Sequence, residues 1–169
     1  MASDAEIARA KQLFPKMPPA VFDLWIVPGI ESHGWQFTSV FQSVNGTEWD
    51  GFFADRPLAW WASADWELSQ YQLRRELLRF ESKRRIDWII DNNTKGIETP
   101  TANLRNTKER FRALEDFIRA NGVLPNPAVG FWFGSQIYVV DGHHRLAALF
   151  HVGFKQDFML AVWIASLPK

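Results

Sequence analysis

The stretch Val139-Val140-Asp141-Gly142-His143-His144-Arg145-Leu146-Ala147-Ala148 decides how this chain is read. Two β-branched residues end an apolar run, Asp-Gly makes a sharp turn, and leucine and alanine then favour a helix. A helix that starts this way leaves its first N–H groups without internal acceptors, and its dipole makes them partly positive. Such an arrangement suits an anion. Gly142 would allow close backbone approach. Arg145, about one turn in, would offer two parallel hydrogen bonds to a phosphate. His143 and His144 would add donors, and positive charge if protonated. Asp141 would cap the helix or help hold a metal ion. On spacing alone three readings stay open: a phosphate site, a plain Asp-Gly turn, and a metal site. Adjacent histidines cannot share one helix face as ligands four residues apart do.

The neighbouring sequence extends this unit in both directions. Residues 143–151 read as a helix closed by Gly153, and 157–164 as a final buried strand. Residues 127–133 and 136–140 read as two strands joined by a Gly134-Ser135 hairpin turn. Phe111, Leu114, Phe117 and Ile118 form a helical apolar stripe, with Asn106 and Glu109 at capping-box spacing and Asn121-Gly122 as the stop. Across 63–95 there is no Gly or Pro. Ser63 as N-cap, followed by Trp66, Leu73, Leu77, Phe80 and Trp88, predicts one long helix, broken at most once. Upstream, a short helix is expected over 5–14, strands over 22–27 and 35–41, and loops with short elements over 49–61.

The strand, the Asp141-Gly142-His143-His144-Arg145 turn and the Leu-Ala-Ala that follows resemble the phosphate-binding segment of the ParB/sulfiredoxin superfamily. Upstream, Leu114-Glu-Asp-Phe-Ile-Arg-Ala-Asn-Gly-Val-Leu-Pro-Asn-Pro127 resembles that family's helix and its glycine-leucine-x-x-proline lead into a strand. The likeness spans residues 107–164, roughly a third of the chain. It implies an α/β (α+β) fold, a small mixed sheet with helices. Chain length suggests a single domain, 1–169, in which 1–96, outside the likeness, is a helical, aromatic-rich extension and 97–169 the nucleotide-binding core that the resemblance implies. ATP or another NTP would be held by Gly142, His143, His144 and Arg145. Asp141, His143, His144 and Arg145 would be the catalytic candidates, with Mg2+ neutralising phosphate charge. Glu109 and Glu115 are further carboxylates near the motif in the expected topology.

Departures from the family patterns narrow the function. Sulfiredoxins carry a cysteine where His143 stands, and this chain has no cysteine. Sulfinic acid reduction is therefore excluded. Partition-type ParB proteins resemble the segment with an acidic residue at that place, bind CTP, and continue into a helix-turn-helix domain and a dimerisation tail that are not expected here. A free-serine kinase branch carries Asp-Gly-His-His-Arg itself, in a longer protein. Small plasmid proteins that inhibit conjugation or T-DNA transfer, of the oncogenic-suppression type with ATPase and DNase activity, are nearest in size. The resemblance thus implies an NTP-hydrolysing protein of mobile-DNA biology, with DNA cleavage as a further activity. The alternative is a non-enzymatic effector module that inhibits a conjugation or secretion partner and keeps a regulatory or vestigial pocket. A small-molecule kinase is a third reading.

Composition sets the outer limits. The chain has 169 residues, nine of them Trp and fourteen Phe, and a formal net charge of zero. A general coat of positive charge is excluded, but a local patch is not. Arg74, Arg75, Arg79 and Lys83, with Arg84 and Arg85, are offset only by Glu76 and Glu81. They make either a DNA-backbone contact or a solvated helix face, which Arg105, Lys108, Arg110 and Arg112 would extend. The lack of cysteine excludes disulfides and thiolate metal sites. An acidic N-terminus without an apolar run is not a signal peptide, and no stretch is long enough to span a bilayer. A cytoplasmic protein with no membrane partner is expected. The tryptophans are expected mainly in a core, with one of Trp60 and Trp61 inside and the other outside. His33 and His151 are assigned to no site.

Overall fold

The computed structural model describes residues 1–33, 52–54, 56–95 and 107–169. The elements in chain order are α1 (Asp4–Leu13), α2 (Pro19–Val21), a π-helical turn (Phe22–Ile26), α3 (Val27–His33), α4 (Leu58–Ser63), β1 (Asp65–Gln72), a 3-10 turn (Arg75–Leu77), α5 (Phe80–Thr94), α6 (Thr107–Asn121), β2 (Ala128–Phe133), β3 (Gln136–Asp141), α7 (His143–Val152) and β4 (Met159–Ser166). The four strands form one sheet in the order β1-β4-β2-β3. The fold is α+β, as expected. The chain separates into two compact units, Met1–Glu67 with Ile164–Lys169, and Leu68–Trp163. Helix α5, which lies N-terminal to the sequence division at residue 96, belongs to the same unit as the glycine turn.

In the second unit, β2 and β3 form the expected antiparallel hairpin around Gly134 and Ser135, pairing Phe131 with Tyr138 and Phe133 with Gln136. The register shifts between Val129 and Gly130. A Cβ at Gly130 would lie 2.5 Å from the Tyr138 carbonyl oxygen, so the two backbones meet at a distance only glycine allows. Helix α7 packs on α5 and α6. Its Leu146, Ala147, Ala148 and Leu149 are buried, because the small alanines let neighbouring helices approach. Helix α5 reaches β3 through Ser82, whose buried hydroxyl accepts a hydrogen bond from Val139 N–H at 2.9 Å.

In the first unit, aromatic rings form the core. Trp25 stacks on Phe52 at 5.1 Å between centroids and meets Trp61 edge-on at 4.8 Å. Trp61 Nε1 donates to the Phe53 carbonyl at 3.1 Å. Trp61 is buried and Trp60 half-buried beneath the Arg56 guanidinium, so adjacent rings do point differently.

Two expected elements are corrected. Residues 22–27 are not a strand: Val21, Phe22, Trp25, Ile26 and Ile30 are buried at helical spacing. Pro28 and Gly29, a turn signal in the sequence, lie within α3. Proline has no N–H to donate inside a helix. The wide turn just before it ends with Val27 N–H bonding Phe22 O, five residues back. The long helix over 63–95 is also absent. Residues 65–72 form β1, Leu73 N–H bonds Phe158 O at 2.8 Å, and the helix begins only at Phe80. Asp-Trp-Glu-Leu alternates polar and apolar residues at the strand period, and pairing with β4 outweighs helix propensity there. The expected strand over 35–41 and the Asn106 cap lie outside the described residues.

Candidate functional site

The site is built on the turn between β3 and α7. Gly142 takes φ +104°, a left-handed conformation that L side chains rarely adopt. A Cβ there would also come within 3.0 Å of Arg145 Nη2 and 3.2 Å of Ala128 Cα. Leu146 N–H closes the first helical turn onto Gly142 O at 2.9 Å. Among the described residues no side chain caps this helix start.

Arg145 folds back over the turn. Its Nη2 donates to Asp141 Oδ2 at 2.8 Å and to the Pro127 carbonyl at 3.0 Å. The side chain is 15% exposed. It therefore ties the end of β3 to the residue before β2, and Asp141 serves as its ion-pair partner. Both contacts use one nitrogen, and the buried Nε has no hydrogen-bond partner among the described residues. A buried donor without an acceptor is costly.

The two histidines differ in placement. His143 is buried. Burial holds its pKa well below the usual imidazole value, Arg85, His144 and Arg145 push it the same way, and only the Val139 backbone opposes them. His144 keeps exposed surface, yet its pKa is lowered to about 4, by crowding of the ring first and then by Arg85, Arg110 and Arg145. Its remaining water contact lets salt screen those charges. Both imidazoles are thus neutral at pH 7, and the positive charge that His143 and His144 would supply if protonated comes instead from the arginines. Arg85 on α5 and Arg110 on α6 are exposed and have no ion-pair partner among the described residues. Sequence reading placed both in a basic patch, because their convergence on the turn depends on how α5 and α6 pack around α7.

The other candidates lie apart from this cluster. Glu109 is exposed. Glu115 is buried and pairs with His151 Nδ1 near the far end of α7, with Arg119 3.9 Å away. Of the basic run, Arg75 pairs with Asp87, Arg79 with Glu81 at 3.0 Å, and Arg74 donates to Gln72 Oε1 at 3.1 Å. Among the described residues no group of three His, Asp or Glu side chains is placed to hold a metal ion, and no helix is long and apolar enough to cross a membrane. No protein-family model matches the chain, and no curated protein or solved structure matches it.

Proposed function

We propose that the turn at Gly142, His143, His144 and Arg145 binds the phosphates of a nucleotide such as ATP. The observation that carries this reading is the packing of α5 and α6 on α7, which brings the charges of Arg85 and Arg110 to bear with Arg145 on His144, at a helix start that no side chain caps among the described residues. Two arginines without an ion-pair partner among the described residues, beside Arg145 already paired with Asp141, and a helix start with its positive dipole end complement a polyanion. Neutral histidines offer hydrogen bonds without requiring acid. An oxygen reaching Arg145 Nε would also satisfy that orphaned donor. The ParB/sulfiredoxin-like motif supports the same reading, and through it NTP hydrolysis and a part in mobile-DNA transfer.

Binding is better supported than proton transfer. An imidazole with a pKa near 4 is unprotonated at pH 7 but is a weak general base. Asp141 is the carboxylate at the turn. A Mg2+ ion carried on the nucleotide is held through one or two protein carboxylates and water; Asp141, whose Oδ2 accepts from Arg145, would have Oδ1 to offer it. The ion would supply charge neutralisation at the phosphates.

Because Arg145 also holds the backbone together, exposed Arg85 and Arg110 make the cleaner test. Calorimetric titration with ATP, CTP, GTP and ADP, with and without Mg2+, should show binding. Arg85→Ala and Arg110→Ala should each weaken it about 5- to 10-fold, or roughly 1–1.4 kcal/mol, with unchanged melting temperatures. Wild-type affinity in the double variant, or no heat from any of the four nucleotides, would sink the proposal.

A further inference from the structure

Phe80, Arg84 and Trp88 are spaced four residues apart on α5 and therefore lie along one side of it. The helix buries Ser82, Ile86 and Ile89 on another side. Phe80 is 59% exposed and Trp88 50%. Arg84 is exposed between them, with its guanidinium 5.7 Å from the centre of the Phe80 ring. Core packing does not account for two large rings left half in water on the same helix face.

The surrounding charges give this face a sign. All three carboxylates of α5 are engaged: Glu81 by Arg79, Asp87 by Arg75, and Asp91 by Lys95 at 3.1 Å. Lys83, Arg84 and Arg85 have no carboxylate partner among the described residues. The helix thus presents alternating rings and uncompensated cations.

We propose that this face of α5 binds single-stranded nucleic acid, with unpaired bases stacked on Phe80 and Trp88 and the phosphates between them held by Arg84 and Lys83. At 1.5 Å per residue, the two rings are attached roughly 12 Å apart along the axis. That exceeds the ~3.4 Å rise between stacked bases, so the rings take separate bases and the intervening phosphates fall beside Arg84. Stacking needs an exposed π-face, which a duplex hides inside itself and a single strand offers at every base. An acidic protein segment would satisfy the cations and leave the rings without matching partners.

The test is fluorescence anisotropy of a labelled oligothymidine strand titrated with the full chain, beside a duplex of equal length. The single strand should bind more tightly, bind less as salt rises, and quench Trp88 emission. Trp88→Ala and Phe80→Ala should each weaken binding about 5- to 100-fold, the span expected for losing one stacked base. Trp88→Phe should retain most of the affinity, and Arg84→Glu should reduce both affinity and salt dependence. Both rings are exposed, so thermal melts of the alanine variants should match wild type, and Phe80→Ala tests the idea independently if Trp88→Ala does not fold. Equal or tighter duplex binding, or wild-type affinity in both alanine variants, would overturn the proposal. So would concentration-dependent self-association that Trp88→Ala abolishes, which would assign this face to a second copy of the chain.

Discussion

Helices α1 and α7 begin in opposite ways. Ser3 Oγ accepts from Glu6 N–H at 3.3 Å, and Ser3 N–H donates to Glu6 Oε2 at 2.7 Å, so α1 satisfies its own first turn. Helix α7 starts at a glycine with no side-chain cap among the described residues, and the charges of Arg85 and Arg110, on the two helices packed against it, act on His144 in its first turn. A helix start closed by its own residues serves stability. One left open among cations keeps its donors available to something else. The residues at each start differ accordingly: Ser and Glu at the first, Gly, His and Arg at the second.

The comparison can be broken most forcefully at Gly142. Gly142→Ala should destabilise the protein by about 3 kcal/mol, from the strained φ and the crowding against Arg145 and Ala128. Denaturant unfolding checks this. A loss below what a cap substitution produces would mean that the turn relaxes freely. Next is Arg145→Ala, which strips Asp141 and the Pro127 carbonyl of a shared donor and should cost about 2 kcal/mol. Arg145→Lys should restore only part, since a point charge replaces the planar fork. At the other start, Ser3→Ala should cost about 1 kcal/mol and leave nucleotide affinity unchanged.

Acid should also separate the two starts. His144 is held near 4 in the fold against about 6.5 unfolded, so the unfolded chain takes up the proton first. Its effect is absent above about pH 6.5, destabilises as pH falls toward 4, and then levels off. Glu6 has its pKa lowered from 4.5, chiefly by hydrogen bonds from the Ser3 backbone and hydroxyl. Its contribution is present above 4.5 and is lost only as pH drops through that lowered value. Denaturation midpoints between pH 7.5 and 3 should therefore show His144→Gln flattening the upper part of the profile and Glu6→Gln the lower. Profiles that shift together would contradict the two environments described here.

Residues 107–166 were the most legible part of the chain because their signals are local. Gly134-Ser135 and Asp141-Gly142 mark turns within a few residues of the strands they join, and Phe111 and Ile118 show the buried stripe of α6 directly. Residues 63–79 mislead because β1 is stabilised by β4, more than half the chain away, while the uninterrupted run without Gly or Pro resembles a helix. Residues 22–27 were misread for the opposite reason, since aromatic and β-branched side chains favour strands until a core rewards helical spacing. At the candidate site, Asp141 to Arg145 could be read from five adjacent letters. Arg85 and Arg110 could not be placed there, because they reach the turn from two different helices.

The contact between Ser82 and Val139 has a consequence for solubility. Strand β3 lies at the end of the sheet order, where open N–H and C=O groups would invite a strand from another molecule. Its outer edge is already in use: Leu78 bridges Ile137, Arg79 N–H bonds Ile137 O at 2.8 Å, and Ser82 takes the Val139 N–H. Residues 78–82 act as a selvedge on that side of the sheet. Loosening them, for example by Ser82→Val, would expose an apolar Ile-Tyr-Val-Val edge ready to template fibrous growth.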